Sequence, residues 1–77
     1  MSAYNLNVKT YNNIKNKTIR VYACWDSVRD YEYGLSPEFY DVYEDDGKTQ
    51  TCINEGDPFY ENPTKGELED LVESYFE

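Results

Sequence analysis

The chain contains no histidine, two cysteines, and seven basic residues against sixteen acidic ones. Each shortage excludes something. Without histidine there is no Ser–His or Cys–His catalytic pair and no His-ligated zinc. Cys24 and Cys52 belong to no Cys-x-x-Cys pair, so they read as small buried hydrophobes, not as a metal site or a disulfide. So few cations cannot neutralise a phosphate backbone or hold an anionic membrane, so direct binding to nucleic acid or to membranes is not expected. No apolar run approaches the roughly 18 residues of a membrane span. The start, Met1-Ser2-Ala3-Tyr4-Asn5, lacks the basic and apolar regions of a signal peptide, so a soluble, cytoplasmic protein is expected.

What is present is acid and aromatic side chain. The 77 residues make one small domain, 1–77, near the lower size limit at which a core alone supports a fold. Nine Tyr, three Phe and one Trp supply large buried areas from few residues, which argues against disorder despite the net charge of −9. The charge is divided along the chain. Residues 1–25 carry Lys9, Lys15, Lys17 and Arg20 and no acid; residues 26–77 carry all sixteen acids against Arg29, Lys48 and Lys65. A segment of +4 therefore precedes one of −13. The two offset one another only partly if they pack side by side.

Patterning predicts α+β architecture: a small antiparallel sheet of about four strands in two hairpins, with one C-terminal amphipathic helix lying on it. Tyr4, Leu6 and Val8 alternate with polar residues as in a half-buried strand. The polar stretch from Tyr11 to Lys17 reads as a loop of several residues. Thr18 to Trp25 is the strongest strand, with Ile19, Val21, Ala23 and Trp25 on one face; Trp25 is expected in the core. Asp26 to Pro37 reads as a loop with a short helical turn, capped by Asp26 or Ser27 and stopped by Gly34 and Pro37, although Tyr31 and Tyr33 would equally share one face of a short strand. Glu38–Glu44 and Thr49–Asn54 form the second hairpin around Asp45-Asp46-Gly47-Lys48. Thr64 with Glu67 makes a capping box. Leu68, Leu71, Val72 and Tyr75 then recur at helical spacing over about 65–76. Leu71→Ala should cost about 2–5 kcal/mol if that stripe is core.

Two groups of residues stand out as candidate partner-binding surfaces. The first is an acidic-aromatic belt: Asp26, Asp30, Glu32, Glu38, Asp41, Glu44, Asp45 and Asp46, interleaved with Tyr31, Tyr33, Phe39, Tyr40 and Tyr43. Carboxylates two residues apart on a strand lie about 6.6–6.8 Å apart, close to the spacing of successive phosphates, and tyrosines add rigid contact area. The second is the outer surface of the C-terminal helix, with Glu69, Asp70, Glu73 and Glu77. Glu73 and Glu77 sit near the negative end of the helix dipole, where bases are the more stable choice. A broken local rule is a place to look for function. Each group also reads as ordinary solvated surface.

Chemistry of other kinds finds little support. Aligning Gly47 with the invariant glycine of a calcium loop places Val42 first and Ile53 twelfth, and neither is a ligand. A carboxylate pair for glycoside hydrolysis needs a cleft that so small a domain hardly has room for. No enzyme activity, cofactor or metal is expected. In charge and size the chain resembles the small acidic inhibitors of phages and mobile elements that act against restriction enzymes, CRISPR nucleases and uracil-DNA glycosylase, although it carries no family motif. That likeness implies an inhibitor that mimics nucleic-acid charge and occludes the basic groove of a DNA- or RNA-handling enzyme. The second reading is a general interaction or antitoxin-like domain for a basic protein, without mimicry. Under the first reading, replacing Glu44, Asp45 and Asp46 by Asn, Asn and Ser should weaken binding more than folding. Oligomeric state is not legible.

Overall fold

The first two alternating runs meet across a two-residue turn. In the computed structural model, which describes residues 3–76, β1 (Tyr4–Ile14) pairs antiparallel with β2 (Lys17–Trp25). Lys15 and Asn16 close the hairpin with φ of 52° and 69°, the twist that the tightest hairpins require. The Asn13 side-chain carbonyl accepts from the Asn16 backbone N–H at 3.0 Å and fixes that turn. The polar stretch is therefore mostly strand, not the longer loop its composition suggests. β1 pairs with β2 through two register irregularities, between Asn7 and Lys9 and between Tyr11 and Ile14. At the first, the Asn7 amide donates to the Lys9 and Val21 carbonyls, each at 3.0 Å, so the bulge leaves neither unsatisfied.

Beyond β2 the chain leaves the sheet through a short helix, α1 (Val28–Glu32). Ser27, not Asp26, is the cap: its hydroxyl accepts from the Asp30 backbone N–H at 3.3 Å. Gly34, at φ 79°, turns the chain back after the helix. The chain re-enters as β3 (Phe39–Asp45), which pairs with β2 on one side and with β4 (Gln50–Cys52) on the other. The sheet order is β1-β2-β3-β4, antiparallel throughout.

β4 is shorter than its sequence suggests, because a side chain replaces its end. Ile53 still donates its backbone N–H to Val42 at 2.9 Å. Asn54 then takes over: its Oδ1 accepts from the Val42 N–H at 3.0 Å and its Nδ2 donates to the Tyr40 carbonyl at 3.2 Å. Phe59 returns to exchange backbone hydrogen bonds with Tyr40, at 2.7 and 3.3 Å.

α2 (Lys65–Phe76) starts from the expected capping box. The Thr64 N–H donates to Glu67 Oε1 at 2.9 Å, and the Glu67 N–H to Thr64 Oγ1 at 3.2 Å. Leu68 and Val72 join Ile14, Ile19, Val21, Val42 and Ile53 in one buried cluster, with Tyr11, Tyr40, Phe59 and Leu71 packed against it. The buried helical stripe is narrower than its periodicity implies. Leu71 is only half-buried, and Tyr75 is 50% exposed, set edge-on against Phe76 at 4.9 Å. Trp25 is core as expected, its indole N–H donating to the Leu35 carbonyl at 2.7 Å. Among the described residues no helix is long and apolar enough to cross a membrane.

Candidate functional site

Strand alternation divides the acidic-aromatic belt. On β3, Val42 enters the core, and Tyr40 and Glu44 share its face; Phe39, Asp41, Tyr43 and Asp45 point to the opposite one. Asp41 and Asp45 are therefore the only acids of β3 on that face, four residues or about 13 Å apart along the strand. A row of carboxylates at phosphate spacing is not built on β3. Tyr40 packs against the core and is not an outward anchor, while Tyr43 lies half-buried, edge-on to Tyr22 at 5.4 Å.

The acids of the second hairpin are already employed. Asp45 pairs with Arg20 Nε at 2.9 Å and accepts the Gly47 N–H at 2.8 Å. Asp46 accepts the N–H groups of Lys48 and Thr49, both at 2.8 Å, and so closes the turn in which Gly47 takes φ 92°. These bonds hold both carboxyls below the ordinary aspartate range: for Asp45 the Gly47 N–H first and Arg20 second, for Asp46 the Thr49 and Lys48 N–H groups. Asp45 and Asp46 are thus parts of the fold. Replacing them along with Glu44 would disturb the hairpin as well as any interface, so that triple substitution does not separate binding from folding as the sequence suggests.

Three other acids converge. The excursion between β2 and β3 is tied down at both ends, by the Trp25 indole on Leu35 and by the Glu38 N–H donating to the Cys24 carbonyl at 2.9 Å. This brings one carboxylate oxygen each of Asp26, Asp30 and Glu38 within 4.8 Å of one another. Oxygen ligands are what calcium and magnesium select, but nothing beyond the three carboxylates marks the cluster as a cation site. Tyr31 packs against Tyr4 and, edge-on, against Trp25, with centroids at 4.7 and 5.0 Å. Glu32 and Tyr33 stand in solvent beside it.

The helix acids differ among themselves. Glu73 pairs with Lys15 at 3.3 Å, which accounts for an acid at the unfavourable end of the dipole. Glu69 is half-buried and Asp70 exposed; Glu77 lies outside the described residues. The four cations of the first 25 residues are all engaged locally. Lys15 and Arg20 meet carboxylates, Lys9 donates to the Pro63 carbonyl at 3.4 Å, and Lys17 sits 4.1 Å over the Phe76 ring. Among the described residues only two ion pairs form, so the negative excess stays unneutralised.

Both cysteines are free thiols on one face of the sheet. β3 separates their strands, and their partners on it, Phe39 and Tyr43, are four residues apart, so the two lie well beyond the reach of a disulfide. Burial, then the charge of Asp41 3.7 Å away, pushes the Cys24 thiol up to about 11. Burial also raises Cys52. A thiol held protonated is a poor nucleophile and a poor metal ligand.

In the sequence Asp26, Asp30 and Glu38 belong to one belt, and nothing there marks the three as one cluster. Val28 and Leu35, which the excursion leaves exposed, and Asn54, which completes the sheet, carry no such mark in the sequence. The Asp26–Asp30 spacing was the available signal, since residues four apart meet on one side of a helical turn. Comparison with family models, with curated proteins and with solved structures gives no match.

Proposed function

We propose that this chain is a small acidic inhibitor that enters the basic groove of a DNA- or RNA-handling enzyme, in the manner of the anti-restriction and anti-CRISPR proteins of phages and mobile elements, and that it works in the cytoplasm. The observation that carries the reading is the unspent charge. Sixteen acids face seven bases, and the described residues form only two ion pairs. Four of the seven bases lie in the β1–β2 hairpin, where they meet only Glu73 and Asp45 among the described acids, so the carboxylates of α1, β3, the loops and the rest of α2 are left as a net negative excess. Such a field steers association with a basic groove and makes the complex salt-sensitive. Occlusion needs no catalytic group, cofactor or metal.

One observation favours the second reading, a domain for a basic protein partner without mimicry. β3 carries no carboxylates two residues apart on one face, so the acids follow no phosphate-like repeat there. Expression of the chain in cells carrying a restriction or CRISPR system separates the two. The inhibitor reading predicts a higher plating efficiency for a phage that the system targets. Unchanged plating against every such system tested would count against it.

A further inference from the structure

Half of the exposed large apolar side chains among the described residues sit on one short segment. Of the eight large hydrophobic residues left exposed among those described, four belong to the β2–β3 excursion: Val28 at 48%, Tyr31 at 38%, Tyr33 at 73% and Leu35 at 54%. A lone exposed apolar residue needs no explanation, whereas a cluster on a short segment marks a contact surface. The same segment carries Asp26, Asp30, Glu32 and Glu38 against one base, Arg29. It is also tied to the sheet at several points. Trp25 clamps it from inside through Leu35, Tyr31 is wedged against Tyr4 and Trp25, and Glu38 is bonded back to Cys24. Tyr31, fixed in this way, loses little entropy when a partner covers it.

From this juxtaposition we infer that the α1 excursion, residues 26–38, is the primary contact surface of the protein, and that its occupant is a protein segment in which arginines alternate with apolar side chains. The inference rests on the acidic-inhibitor reading and narrows it to a place. Arginine is favoured over lysine because its planar fork meets paired carboxylates with two bonds and also stacks on tyrosine. Tyr33 and Leu35 would be covered by the apolar side chains between the arginines. Asp26, Asp30, Tyr31, Glu32, Tyr33 and Glu38 of the acidic-aromatic belt then belong to the interface, and Asp45 and Asp46 do not.

The test uses the isotope-labelled full chain and a short synthetic peptide of arginines interleaved with leucines, titrated at low salt and followed by the backbone amide spectrum. The largest shifts are expected over residues 26–38. Asp30→Asn with Glu32→Gln should weaken the peptide about tenfold, and Glu55→Gln with Asp57→Asn, which removes the same charge elsewhere, by less than about twofold. Tyr33→Ser with Leu35→Ser, which removes no charge, should also cost about tenfold, as truncation of interface anchors does. Native amide dispersion in each variant separates lost binding from lost folding. Shifts centred on α2 or the β3–β4 hairpin, or equal losses from the two charge-removing pairs, overturn this placement while leaving the inhibitor reading standing. Absence of any saturable shift likewise overturns this placement and its occupant, while the inhibitor reading stands or falls by the plating assay.

Discussion

Asn54 shows how a single side chain can replace a strand. It is buried, and its amide satisfies the Val42 N–H and reaches the Tyr40 carbonyl where β4 has already ended. Tyr40 keeps a second partner in the Phe59 N–H, but among the described residues Val42 has no alternative. Asn54→Ala should therefore cost about 1–3 kcal/mol, the penalty of one orphaned buried donor, measured by urea unfolding. A change within error of zero would show that water or backbone movement fills the gap. Asp45 and Asp46 lend themselves to a pH experiment. Their folded pKa values lie below the unfolded ones, so their stabilisation is complete above the ordinary aspartate range and is lost as pH falls through the lowered folded values. The stability gap between the native chain and Asp46→Ala should shrink from neutral pH towards strong acid. A gap that stays constant over that range would contradict the assignment of those turn bonds to the carboxylate.

At the scale of the element, α2 and the first hairpin mark where sequence reading works and where it stops. The capping box needed only Thr64 and Glu67, because both of its bonds are local. The buried stripe needed the position of the sheet, which periodicity alone does not supply. Leu68 and Val72 are buried, Leu71 only in part, and Tyr75 turns to Phe76 instead. Leu68→Ala should thus cost about 2–5 kcal/mol and Leu71→Ala distinctly less, in chemical denaturation under the same conditions. Equal losses would mean that the helix packs with a different face. The hairpin turn was hidden because Lys15-Asn16 lacks the glycine that advertises such turns, and Asn13 does the fixing from outside the turn. The convergence of Asp26, Asp30 and Glu38 was likewise illegible, since it depends on the clamps that Trp25 and Cys24 place on Leu35 and Glu38.

At the scale of the whole molecule the governing quantity is unbalanced charge. The fourfold basic start of the chain engages its own α2, Pro63 and Asp45, as a bland packing argument expects, yet it neutralises only two acids. The remainder repel one another. Screening that repulsion should raise the melting temperature as salt increases from low to physiological concentration. A fall would mean that the two ion pairs outweigh the repulsion, and the charge would then be a structural feature. The same charge, faced outward, is what the proposed inhibition uses.

The most direct measurement is a competition. Labelled duplex DNA or guide RNA is bound to a restriction enzyme, a CRISPR nuclease or uracil-DNA glycosylase, and the unlabelled protein is titrated in while anisotropy is recorded at low and at physiological salt. Mutually exclusive binding, with an apparent affinity that falls steeply as salt rises, is the predicted result for the enzyme it inhibits. Formation of a ternary complex in which the nucleic acid stays bound, with an affinity indifferent to salt, would contradict the account.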